Sequence, residues 1–452
     1  MLIRYTTHMK WYQDKILWWI LVSAALLKLL ALAHLYFINP LGEQALIFPD
    51  SLGYIYPAQT WLTYGQFWEA VSATPLLMRT PGYPVFLALT QWLTHSATWG
   101  IVIVQNILSL ILLLPVYVTT LRLADRTAAR WAAGFCAASV LYFSLSFAVL
   151  TETVCVFLLA WFVFFAIRWL QTLRVWDMFA AAIFLGAAVY VRPAVYYFVP
   201  VSFVLLGIFI LYKKSRTLAK QTALCFILPL VVGIGAWQLR NHIQTGYNGF
   251  TSVGAYNLYV WNADYVAKQS NLSVPQAQRM LLAFLPPDFN SRPAPDQVRE
   301  YKRLAAPLLK KSKWHKLTHL PVWAGKTLLG TNHVHLVRLA FGYEDEKQAE
   351  KTLNQTGILP RPWLSSAADK FLFLLAFLQV GLVALLGITG FIFLWKTRRL
   401  ATLFLMTYTG YFWLIGSCFF GAYARFRAPF EFVLCITAGL AAATLLSRWK
   451  KS

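Results

Sequence analysis

Residues 48–84, FPDSLGYIYPAQTWLTYGQFWEAVSATPLLMRTPGYP, interrupt a series of apolar runs. The stretch holds Asp50, the aromatics Tyr54, Tyr56, Trp61, Phe67 and Trp68, then Arg79 and the rigid pair Pro81 and Pro84 around Gly82 and Tyr83. The run before it, roughly 16–37, is long enough to cross a hydrocarbon core, which takes about 20 apolar residues. The run after it, 82–95, has only 14 residues. That length suits a re-entrant or interfacial helix better than a full span. An acid-bearing, aromatic-rich loop between such runs places a carboxylate at the edge of a bilayer. It sets the reading of the whole chain as a bundle of membrane helices with a polar site at one end.

Composition agrees. The chain has 452 residues, is 59% hydrophobic and has only 13% charged residues, whereas a soluble domain is about half apolar and a quarter charged. The first apolar run is too long and too polar at both flanks for a cleaved signal peptide. The five cysteines fall in or beside apolar segments without metal-ligand spacing or a disulfide framework, as small buried residues do. The net charge is +23, but its distribution argues against nucleic acid as the partner. Eighteen Lys and Arg sit at alternate ends of the apolar runs, among them Arg122, Arg126, Arg130, Lys213, Lys214, Arg398 and Arg399. Alternation of this kind marks the cytoplasmic side. It predicts about ten spans with both termini cytoplasmic, in an inner (cytoplasmic) membrane: 16–37, 98–121, 130–149, 153–171, 176–191, 195–212, 221–239, 370–395, 400–420 and 428–447.

Three regions follow: an N-terminal transmembrane module, 1–240, whose first outer loop is 38–97; an extracytoplasmic region, 241–369; and C-terminal helices, 370–452. The middle region opens with a Gly-, Asn- and Tyr-rich stretch that reads as turns and short strands. It continues with a Pro-rich loop, a basic helix at 296–316, and a mixed apolar and basic segment at 319–342 that reads as an interfacial helix. Lys28 falls at mid-depth of the first span, either turned into the bundle or touching a substrate. His333 and His335 are two apart and share no helix face. Asn271 and Asn354 begin Asn-X-Ser/Thr triplets that matter only in a glycosylating host.

On the side opposite the basic turns, the short segments carry Glu43, Asp50, Glu69, Glu152 and Glu431 together with Arg79, Arg192, Arg425 and Arg427, with Arg240 at the end of the seventh span. An arginine at a helix end is most simply a structural ion-pair partner. Five on one face, beside a carboxylate loop, also suit a fork onto a phosphate or carboxylate, with a carboxylate acting as base. No Walker loop, HExxH, GxSxG or CxxC competes.

These features, in this order, resemble the polyprenyl-phosphate-sugar-dependent glycosyltransferases of the GT-C fold, which include the protein O-mannosyltransferases and the aminoarabinose transferase of lipid A. The resemblance rests on PDSLGYIYPA at 49–58, Arg79 with PGYP and the following FLA, Thr151-Glu152, Val191-Arg192-Pro193, Arg240-Asn241, and ARFRAPFE through Glu431. Each piece is weak alone; six in order and on one side of the membrane are specific. Many members carry Asp-Glu in the first loop, whereas here Ser51 follows Asp50. Metal-dependent branches use further acids that have no counterpart here, so the resemblance implies no metal and no other cofactor.

It implies an inverting transfer of one sugar from a polyprenyl-phosphate donor to a glycan, lipid or protein acceptor at the outer, periplasmic face, amid membrane lipids. Asp50 would be the general base. Arg192, Arg240, Arg425 and Arg427 would hold the donor phosphate. Arg79, Tyr54, Tyr83, Glu152, Asn241 and Glu431 would bind or position substrate, with Tyr56 a further candidate for the donor pocket. The residues by themselves also suit a multi-pass transporter or flippase of a lipid-linked or anionic solute, with Lys28 coupled to protons. Transporters of that kind carry internal repeats with matching broken helices, and this chain shows no such symmetry.

Overall fold

The computed structural model describes residues 11–39, 41–69, 74–96, 98–331, 367–418 and 424–449. Among these residues the chain is helical, its one β-like pairing being a bridge between Trp68 and Pro75. Among the described residues, eight helices are long and apolar enough to cross a membrane. The chain is an integral membrane protein, and the other expected spans are the 17-residue helix Val175–Val191 and a broken one described below.

In chain order the first half runs α1 (Lys15–Phe37), α2 (Leu52–Tyr64), α3 (Gly82–Thr94), α4 (Trp99–Ile111), α5 (Leu113–Leu123), α6 (Arg126–Ala137), α7 (Val140–Leu145), α8 (Glu152–Thr172), α9 (Val175–Val191), α10 (Pro193–Tyr196) and α11 (Phe198–Lys213). Next come α12 (Arg216–Thr222), a π turn at Ala223–Ile227, and α13 (Leu228–Thr245). The polar region supplies α14 (Val253–Val260), α15 (Ala263–Ser270), α16 (Val274–Ala283) and α17 (Ala294–Leu329). The last elements are α18 (Ala367–Thr397), α19 (Arg399–Ser417), a short 3-10 turn Ala424–Arg427, and α20 (Ala428–Trp449).

The last helix is the centre of the bundle. Every residue of α20 from Ala428 to Ala443 is buried, and α5, α6, α8, α18 and α19 pack around it. Gly439 permits the closest approach: a Cβ there would lie 2.5 Å from the Ala128 carbonyl oxygen of α6. By contrast, α1 is buried only along Leu17, Ala24, Lys28, Ala31 and Leu35 and shows its remaining apolar surface outward. Lys28 is therefore turned into the bundle, where its Nζ donates to Asn106 (3.1 Å) and Ser146 (2.7 Å).

The expected span 130–149 is not one helix. It breaks after Ala137, and Ser139 caps the next piece by accepting from the Tyr142 amide. The backbone then leaves helical form before Glu152, at membrane depth. Non-helical backbone there needs partners from the protein. Asn106 Nδ2 donates to the Ser146 carbonyl, Gln105 Nε2 to that of Ala148 and Ser51 Oγ to that of Val149.

The Gly- and Asn-rich opening of the polar region also differs from expectation. It forms α14 and α15 rather than strands, because Tyr259, Val260, Ala263 and Ala267 bury against Leu281 and Ala305 in a small separate core. Tertiary burial there overrides a turn-like composition. The basic helix is longer than expected: α17 runs 36 residues and takes in the first part of the interfacial segment. His333, His335 and Asn354 lie outside the described residues.

Candidate functional site

The centre is built on two irregular segments laid side by side. The Val149 amide donates to the Leu46 carbonyl, and Ser51 Oγ accepts from the Phe48 amide while donating to the Val149 carbonyl. Ser51, which stands where many proteins of the resembled family carry a second acid, is thus a fully buried clasp. It fixes Asp50 at the entry to α2, facing the first turn of α8.

Asp50 is held by two arginines from distant parts of the chain. Arg79 Nη2 donates to Oδ1 at 2.9 Å and Arg425 Nη2 to Oδ2 at 3.0 Å. Arg79 also donates to the Tyr54 hydroxyl (3.2 Å) and stands 4.8 Å above that ring. Glu152, in the first turn of α8, accepts from Arg192 at 2.7 Å, and Arg425 Nε is 4.0 Å from the same carboxylate oxygen. Arg192 and Arg425 both lie against the Phe426 ring, 5.7 and 5.4 Å from its centroid.

Among the described residues, three guanidiniums therefore share two carboxylates, an excess of one positive charge. The cluster is open: the side chains of Asp50, Arg79 and Arg425 are 36%, 27% and 30% exposed. Partial burial would raise the Asp50 carboxyl, but the charges of Arg425 and Arg79 outweigh it and hold it down at about 2. Beneath Glu152 lies a small cavity bounded by Ser109, Tyr142 and Thr153.

The PGYP turn positions Arg79. A Cβ on Gly82 would lie 2.6 Å from the Tyr190 carbonyl group, so glycine lets α3 seat against the end of α9. Tyr83 is fully buried, donates to Gln105 Oε1 (2.9 Å) and meets Tyr54 edge-on. It supports the floor under Tyr54 rather than lining open space.

The other expected site residues are placed differently. Arg427 is 1% exposed, paired with Glu431 at 2.6 Å, and donates to the carbonyls of Leu328 and Gly330, both at 3.0 Å. Glu431 also accepts from Ser139. This pair ties the C-terminal end of α17 to α20 and α7 and lies apart from Asp50. Arg240 donates to the Leu76 carbonyl (2.8 Å) and to Asn241 Oδ1 (3.0 Å). Asn241 in turn donates to the carbonyls of Gly249 and Phe250. These two brace the segment leading to Arg79 against the start of the polar region. Glu69 does the same from the other side, accepting the amides of Leu77 and Met78.

Sequence reasoning gave no role to Ser51, Gln105, Thr251 or Phe426. Thr251 Oγ1 is bonded at the carbonyls of Leu77 and Met78, and the Ser252 amide donates to the same Leu77 carbonyl, so the polar region is stitched onto the Arg79 segment. Trp261 of the turn after α14 reaches within 6.5 Å of the Phe426 ring. No single-position signal marks such residues, because their partners are remote in sequence. Among the described residues, no three or more His, Cys, Asp and Glu side chains gather as metal ligands.

The family model of dolichyl-phosphate-mannose-protein mannosyltransferases matches residues 78–237. No curated protein matches the chain. The fold superimposes on the Archaeoglobus fulgidus oligosaccharyltransferase in its apo form with a TM-score of 0.53 at 13% identity, over 97% of this chain and 52% of that one. The archaeal oligosaccharyltransferase AglB of the same organism, solved with an inhibitory peptide and a dolichol-phosphate, superimposes with a TM-score of 0.52 at 13% identity over 97% and 51%. The chain thus spans about half the length of these relatives. The family match over residues 78–237, the helical membrane bundle and the shared architecture show a polytopic membrane protein with a GT-C-like fold.

Proposed function

We propose that the protein transfers a single sugar from a polyprenyl-phosphate carrier to an acceptor at the membrane face bearing Asp50, with inversion at the anomeric carbon. The observation that carries this reading is the open cluster of Asp50, Glu152, Arg79, Arg192 and Arg425, whose described side chains carry one positive charge in excess. An anionic phosphate completes it. A relative of the same fold was solved with a dolichol-phosphate, which is a donor-carrier chemistry of this class. Alternating basic turns support a face on the extracytoplasmic side of the cytoplasmic membrane, with both termini inside.

In this mechanism the donor phosphate draws on the guanidiniums that now hold Asp50. A carboxylate held near 2 is a weak base; losing part of that field to the phosphate raises its proton affinity when the donor is bound. Asp50 then takes the proton from the acceptor hydroxyl or amine. The acceptor atom attacks the anomeric carbon, and the carbon–oxygen bond to the phosphate breaks with its electron pair on the phosphate. Arg79, Arg192 and Arg425 stabilise that leaving charge where it develops. Glu152 positions Arg192 and Arg425. Tyr54 orients Arg79. Arg240, Asn241, Arg427, Glu431 and Tyr83 act on the framework.

The test is a panel of polyprenyl-phosphate sugars and bare polyprenyl phosphate against wild type and Asp50→Asn in detergent. A ligand at 100 times its Kd stabilises a protein by about 2.7 kcal/mol, so binding is read as a rise in melting temperature. One lipid-linked sugar should stabilise both proteins and be consumed only by wild type. Stabilisation by a soluble anion alone, or recovery of every lipid-linked cargo intact, points instead to transport.

A further inference from the structure

A second cavity lies far from the Asp50 cluster. It is a half-open cleft between α8, α9, α11, α19 and the π turn, and its walls include Ala166, Trp169, Met178, Leu206, Phe209 and Phe404. Ala166 is fourteen residues along α8 from Glu152, or roughly 21 Å at 1.5 Å per residue. The cavity is therefore at the other end of the bundle.

Its lining is apolar except for Ser202, whose hydroxyl already donates to the Val199 carbonyl at 2.6 Å. No group in it invites water, which needs two or more polar partners to be held. Packed interiors leave few voids larger than a water molecule. In a membrane-spanning bundle the abundant solute that fits an apolar cleft is a hydrocarbon chain.

The charges at the rim say which kind of molecule brings the chain. Lys213 follows Phe209 by one helical turn, with its Nζ 5.8 Å from the centre of that ring. Arg399 precedes the lining residue Leu400. Both are exposed. The carboxylate next to Met178, that of Asp177, is closed off by Arg168 at 3.0 Å and by the Thr172 hydroxyl at 2.8 Å. The rim is thus positive, and its acid is neutralised.

We propose that this cleft is a binding site for an anionic glycerophospholipid, with one acyl chain between α8, α11 and α19 and the phosphate at Lys213 and Arg399. The donor carrier is not the proposed occupant, since a phosphate at Arg79 and Arg425 lies at the opposite end of the bundle from this rim. The site stands whether or not the protein transfers sugar. The π turn, through Phe226, forms one wall; such turns are common at functional positions.

The experiment is native mass spectrometry of the full chain, stripped of lipid in detergent and then offered phosphatidylglycerol, phosphatidylcholine or polyprenyl phosphate. Wild type should retain phosphatidylglycerol at least about five-fold over phosphatidylcholine, a difference of about 1 kcal/mol. Lys213→Ala with Arg399→Ala, both on the surface, should remove that preference without lowering the melting temperature of the stripped protein. Ala166→Phe, which fills the cleft, should reduce retention of both phospholipids. Equal retention of the two phospholipids by wild type, or an unchanged preference in the double variant, overturns the proposal. So does retention of polyprenyl phosphate that the double variant abolishes.

Discussion

Arginine meets aspartate at both ends of this bundle, with opposite results. At the end away from the site, Asp14 caps α1, accepts from the Tyr117 hydroxyl, and pairs with Arg130 at 2.9 Å. Its carboxylate is fully buried, and its acceptor capacity is filled by one guanidinium, one phenol and one amide. Arg168 and Asp177 form a similar one-to-one pair. At the other end Asp50 is a third exposed and is shared between Arg79 and Arg425, with Arg192 and Glu152 alongside. One arrangement is closed and neutral, and joins α1 to α5 and α6. The other is open, and among the described residues it has one more guanidinium than carboxylate. The composition of the two is nearly the same; stoichiometry and exposure separate framework from site.

Substitution can break that contrast. The largest effect is expected at Asp50→Asn, which removes the proposed base and should lower transfer by about 10²–10⁴ while the protein still folds and binds donor; retention of more than about a tenth of wild-type turnover would falsify the base assignment. Arg425→Ala should lower the rate by about 10²–10³. Arg425→Lys should recover little, because a point charge does not reproduce a guanidinium shared between Asp50 and Glu152. Full recovery by lysine would mean that only net charge matters there.

Arg427→Ala sharpens the comparison from inside the same turn. Its partner Glu431 is buried, so breaking the pair should cost about 3–5 kcal/mol of stability. Thermal unfolding should show this loss, with kcat of the surviving folded protein close to wild type. A lost rate with unchanged melting would move Arg427 into the site. Arg130→Ala tests the closed pair at the far end. It should cost roughly 1.5–3 kcal/mol, again without a change in kcat.

The smallest effect is on pH dependence. Asp50 is near 2 in the folded protein and about 3.9 in an unfolded chain. Its depressed value stabilises the fold above about pH 4, and that contribution disappears as pH falls toward 2. The difference in melting temperature between wild type and Asp50→Asn should stay level from pH 8 to 5 and shrink below about 4. A difference that changes between pH 8 and 5 would show that Asp50 is not held by its arginines.

The sequence by itself determined the membrane class, most span positions and the face that gathers acids and arginines. The reason is physical: a hydrocarbon core requires long apolar helices, and basic turns alternate with the crossings. Even the short helix at 82–94 was legible from its length. The tertiary structure alone decided which arginines meet Asp50. Arg425 is 375 residues from it, and no local pattern carries such a distance. Arg425 and Arg427 are two apart in a 3-10 turn, so they point to different sides, one to the open cluster and one to the buried Glu431. The non-helical stretch between α7 and α8 was equally hidden, because the groups that satisfy its backbone, Ser51, Gln105 and Asn106, come from other elements. Hydropathy fixes where a chain crosses a membrane; packing between remote segments fixes which of its charges remain open to a ligand.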